Sequence, residues 1–179
     1  MTYLAIDVAN YLLKRSIETK KLINNLHLQK SLYYLQAYYL VNKYTPLFKE
    51  SIEMWKLGPV VKEVYDEYKL FGSSNIDQLL KVCVFNEKTF DLEYRKVGDI
   101  DFDDDTNNTL NMLIDVLLEK DTMELIDMCL EEDLFKKYEK QIYAGERFVY
   151  SIIEMYDYFM EVENYNKLMC NVFELKVMF

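Results

Sequence analysis

Few side chains in this sequence could do chemistry. His27 is the single histidine and lies between Leu26 and Leu28. A Ser-His-Asp triad or a histidine-rich metal site needs more than that, and a lone His among leucines is expected to be structural. Cys83, Cys129 and Cys170 are far apart, with no CxxC spacing. They are expected to be reduced thiols rather than a disulfide frame or a metal knuckle. The run Asp99-Ile100-Asp101-Phe102-Asp103-Asp104-Asp105 opens like a calcium loop, but its sixth position is Asp104 rather than Gly and its twelfth is Leu110 rather than Glu. No glycine-rich phosphate loop is present. The reading is therefore a non-enzymatic chain with no catalytic residue, metal or cofactor, and with the acidic run as a solvated turn.

What remains is a set of polar and aromatic groups between Leu26 and Gly72. Gln29 and Lys30 are adjacent and point about 100° apart on a helix. One can bond to backbone inside a core while the other meets a partner protein, and the spacing leaves open which. Tyr33 and Tyr34 each carry a hydroxyl on an apolar body. Lys30 and Tyr34 are the first expected partner contacts; Gln29, the more readily buried polar group, comes second. Trp55, the single tryptophan, is placed with them and is also expected to pack beside the Gly58-Pro59 break.

These groups must be held by particular elements. Leu28, Leu32, Leu35 and Tyr39 recur at spacings of three and four, and Tyr33, Ala37 and Leu40 widen the face. That predicts a central helix over Leu26–Tyr44, capped by Asn25. Gly58-Pro59 should end the preceding segment, with Pro59 in the first turn of the next helix, which carries Val61, Val64, Tyr65 and Tyr68. Gly72 suits that helix's C-terminal cap. Ala5, Val8, Ala9, Leu12 and Leu13 predict a first helix over Leu4–Thr19. Val82 to Phe85 and Phe90 to Tyr94 alternate as strands, predicting one hairpin near 82–95. Later helices are expected on the stripes Leu110–Leu118, Leu134–Ile142 and Phe148–Val162. Asp105 or Thr106 is expected to cap the first of these, and Asp121 with Glu124 forms a capping box between them. Residues 164–179 are too apolar for a disordered tail. They either complete the core or bind a partner or a second copy of the chain.

The block as a whole resembles the signature of the Panacea domain, L-x-L-Q-K-L-L-Y-Y followed by A-W-x-x-G-P-V-V-x-x-V-Y. It is carried here by Leu28, Gln29, Lys30, Leu32, Tyr33 and Tyr34, and then by Trp55, Gly58, Pro59, Val60, Val61, Val64 and Tyr65. Of these, Leu28, Leu32, Tyr33, Gly58, Pro59, Val60 and Tyr65 are assigned to the structural motif. The family's later L-T-H-x-E-x-P-W segment falls on Met128 to Phe135, where Leu130 replaces the His, Leu134 the Pro and Phe135 the Trp. No role that rests on that His carries over. The resemblance implies a phage-associated or antitoxin-type protein; a SocA-like member is a proteolytic adaptor.

Composition fits this reading. With 51% hydrophobic residues, four Gly and two Pro in 179, the chain is expected to be mainly α, a compact helical domain with one small β-hairpin. Residues 1–145 form the domain and 146–179 a C-terminal helix with an apolar extension. A formal charge of −10 disfavours direct nucleic-acid binding. No run approaches the roughly 18 apolar residues of a membrane span. The N-terminus has no basic signal-peptide start, so a cytoplasmic location is expected. The function expected is a protein-binding neutraliser of a toxin or host defence protein. The alternatives are a proteolytic adaptor and an acidic nucleic-acid mimic built on Asp99–Asp105 and Glu131–Asp133.

Overall fold

The computed structural model of the chain describes residues 2–79, 82–86, 89–95 and 102–175. Asp99, Ile100 and Asp101 of the acidic run, residues 176–179 and the side chain of Cys83 lie outside the described set.

The fold is mainly α-helical and built around α2 (Asn25–Asn42). This helix is buried on nearly every side, so apolar periodicity alone does not orient it. Its cap is Asn24, one residue earlier than expected, whose side chain accepts from the His27 amide. Asn25 sits inside the helix, donating to the Tyr65 carbonyl and accepting from Gln29. Packed against α2 are α1 (Ala5–Glu18), α3 (Lys62–Tyr68), α4 (Asp104–Leu117), α5 (Thr122–Glu131) and, further on, α8 (Ile152–Met160). Helices α1 and α4 are tied by a two-pronged Arg15–Asp115 pair at 2.7 and 2.8 Å. Asp103, rather than Asp105 or Thr106, caps α4.

The expected hairpin is present as β3 (Val82–Asn86) paired antiparallel with β4 (Asp91–Arg95). The sequence did not disclose a second sheet, of order β2-β1-β5, formed by β1 (Glu53–Trp55), β2 (Gly58–Val60) and β5 (Phe148–Val149). Pro59 accordingly sits in an edge strand opposite Met54 and not in a helix. An edge position asks for no amide on the open side, so proline fits there as well as at a helix start. Gly58 has φ +90°, which suits glycine.

The C-terminal third differs from its expected outline. The Leu134–Ile142 stripe is split between α6 (Asp133–Lys136) and α7 (Glu139–Tyr143). Phe148 begins in β5, and Ser151 then caps α8. The short α9 (Val162–Asn166) runs into a π-helical segment, Lys167–Val172. Leu168, Met169, Val172 and Phe173 are buried in the same core as α1 and α2. Among the described residues no helix is long and apolar enough to cross a membrane.

Candidate functional site

The polar residues of α2 are internal pins. Gln36 accepts from the amides of Leu47 and Phe48 at 2.8 and 3.2 Å and donates to the Phe48 carbonyl at 3.1 Å. Gln29 accepts from the Val61 amide at 2.8 Å. Lys30 donates from Nζ to the Pro59 carbonyl at 3.0 Å. Gln36 thus holds the segment that leads toward β1, and Gln29 and Lys30 hold β2 and the residue after it. His27 is pinned too, its Nε2 lying 3.1 Å from the Leu117 carbonyl and its Nδ1 3.3 Å from the Thr122 hydroxyl. A carbonyl can only accept, so Nε2 carries the proton. Burial lowers the His27 pKa, keeping the ring neutral.

Lys30, Tyr34 and Gln29, the expected partner contacts, are therefore closed to solvent at 0, 1 and 0% exposure. Leu28, Leu32, Tyr33, Gly58, Pro59 and Val60 are also buried. Tyr65 is half-buried, as is Trp55.

Around Lys30 lies a buried cluster. A Cβ on Gly58 would stand 3.3 Å from Cys129 Cβ and 3.4 Å from Lys30 Nζ, so the glycine also makes room for the lysine. Burial lowers the Lys30 pKa to about 8. The Cys129 thiol donates to the Tyr34 hydroxyl at 3.4 Å, and burial pushes that thiol up. The Tyr33 hydroxyl donates to Glu132 Oε2 at 2.5 Å. Glu132 is half-buried overall, with its carboxyl group at the buried Tyr33 hydroxyl; desolvation raises it to about 8, against the opposing pull of Tyr33 and Tyr34. In sequence Glu132 reads only as the middle of three adjacent acids, Glu131–Asp133. The chain leaves the helix at this residue, with φ −65° and ψ 133°, and its carboxyl is turned inward. The break between α5 and α6 was the missing signal.

Two hollows flank the cluster. One, of about 380 Å³, is lined by Tyr34, Glu132, Tyr158, Phe159 and Asn164 among others. The other, of about 580 Å³, opens at the β1–β2 hairpin between Trp55, Leu57, Tyr65, Ile142 and Phe148. Its aromatic wall is the Trp55–Tyr65 pair, rings 4.9 Å apart and edge-on, with the indole N–H on Glu53 Oε2 at 2.7 Å. Leu57 at the hairpin tip is 48% exposed, and Tyr143 and Val149 nearby are 53% exposed. Glu53, Lys56, Lys62, Glu146 and Arg147 supply charge of both signs around it. Among the described residues no group of acids, Cys and His could hold a metal.

The profile of the Antitoxin SocA-like, Panacea domain family matches residues 28–143. Antitoxin SocA of Caulobacter vibrioides (strain NA1000 / CB15N) is 45% identical over 69 residues, a stretch that is 38% of this chain and 37% of that protein. The matched stretch thus spans little more than a third of the relative's length. No solved structure matches the chain significantly. The profile covers most of the chain, including the pinned hairpin and the Lys30–Glu132 cluster, and the chain belongs to the Antitoxin SocA-like, Panacea domain family.

Proposed function

We propose that the chain is a non-enzymatic, antitoxin-like protein that neutralises a toxin or host defence protein by direct binding, and that the Trp55 groove is its contact surface. Membership of an antitoxin family supports the function class. The single observation that supports the site is the Trp55–Tyr65 pair, held half-exposed on a hairpin pinned from inside by Gln29 and Lys30. Large aromatic residues on a pre-organised backbone make strong binding anchors, because little freedom remains to be lost on association. In this reading Lys30 and Gln29 act through the hairpin, Tyr34 packs behind it against Cys129, and none of the three touches the partner. The test begins with affinity capture from the native host and identification of the bound protein. The purified partner is then titrated with the parent chain and with Trp55→Ala. A complex that forms equally well with Trp55→Ala moves the contact surface elsewhere. A partner that is destroyed only when a protease is present replaces the neutraliser by an adaptor.

A further inference from the structure

The 380 Å³ cavity beside α5 and α8 shares no lining residue with the hairpin groove. Its walls combine an aromatic and aliphatic surface, Tyr158, Phe159 and Leu168, with acceptors at depth. Glu132 is the first of these. Among the described residues its carboxyl is met by phenols, and none of the ion pairs includes it. Desolvation keeps this carboxyl protonated to about pH 8, so an ammonium group bound beside it would supply the charge that lets it ionise and release that proton to solvent. Asn164 is the second. It is 7% exposed, and both of its bonds use the amide nitrogen, to the Tyr158 carbonyl at 3.0 Å and to Glu161 Oε2 at 3.2 Å. Among the described residues its carbonyl oxygen takes no bond from the protein and is not closed off from solvent, so it is free to accept from a ligand.

We propose that this cavity binds a small primary amine, its ammonium group accepted by Glu132 and the Asn164 carbonyl and its apolar stem laid against Tyr158, Phe159 and Leu168. An ammonium group brings three donors and the missing positive charge. A stem of six to eight carbons is of a size with the cavity, and aromatic walls suit both an alkyl chain and a ring. The charge at the mouth favours one ammonium rather than several. Lys136 and Lys167 stand there with Glu131, Lys167 is already paired with Glu163 at 2.7 Å, and Lys136 joins no described ion pair. A polyamine would meet a like charge at the rim.

The experiment is calorimetric titration of the full chain with hexylamine and phenethylamine, against hexanol and hexanoate as neutral and anionic probes. Saturable binding of both amines is expected, at least roughly tenfold tighter than either control, the scale of one charge-assisted contact. Glu132→Gln keeps the shape and should weaken the amines by a similar factor. Asn171→Trp, at an exposed position lining the cavity, should obstruct it and remove binding even if Glu132→Gln does not fold. Hexanol binding as tightly as hexylamine, no saturation with either amine, or unchanged amine affinity in Asn171→Trp would each overturn the assignment.

Discussion

Lys30 and Glu132 carry opposite pH signatures. Glu132 keeps its proton to about pH 8 in the fold but gives it up near 4.5 when the chain unfolds. The folded state binds more protons in that window, so Glu132 makes stability fall as pH rises from about 4.5 to 8. Glu132→Gln should remove that fall: denaturant titrations across the window should show the variant gaining on the parent as pH increases, and parallel curves would contradict the burial of this carboxyl. Lys30 runs the other way. Its folded pKa of about 8 lies below its ordinary 10.5, so the unfolded state binds more protons between those values and stability rises with pH there. Lys30→Met should lose that rise relative to the parent in denaturant titrations run from about pH 8 to 10.5. A difference that stays flat would mean that Lys30 is solvated. Neither burial was legible in the sequence. Lys30 shares a face with Tyr33 and Tyr34, but apolar periodicity orients only the apolar residues of a helix, and α2 has hardly any solvent side to leave for the rest.

At the scale of elements, α2 was readable and the β1–β2–β5 sheet was not. Leu28, Leu32, Leu35 and Tyr39 mark the helix because they span several turns. Strands of two and three residues are too short for an alternating pattern to show, and Gly58-Pro59 suits a helix start and an edge strand alike. β5 is also distant in sequence from β1, with Met54 opposite Phe148, and no local signal announces such a pairing. The hold of α2 on the segment that leads into this sheet can be tested at Gln36. Gln36→Leu would leave two buried amides and a carbonyl near Leu47 and Phe48 without partners. Each such group costs about 1–3 kcal/mol. A loss of at least about 3 kcal/mol in chemical denaturation is expected; a loss below about 1 would show that the segment is held by other contacts.

For the molecule as a whole, one hydrophobic core runs through residues on both sides of position 145. Leu168, Met169, Val172 and Phe173 join Leu12, Leu32 and Leu113 in it. The apolar content of this stretch was plain in the sequence, but its partner was not, because composition says that a surface is covered and not by what. Deleting residues 164–179 should therefore yield an unfolded or aggregated chain, seen as loss of the cooperative thermal transition; a truncation that melts as sharply as the parent would assign the segment to an interface. The central claim is that the molecule presents the Trp55 groove to a protein while the signature residues of α2 hold the groove in shape. Titration of the identified partner against Trp55→Ala, Leu57→Glu and Lys30→Met tests it most directly. A loss of about thirtyfold or more is expected for each of the two groove variants, the scale of a binding hot spot at about 2 kcal/mol, and a smaller loss for folded Lys30→Met, which removes one pin and leaves the groove's surface intact. Full affinity in both groove variants would contradict it.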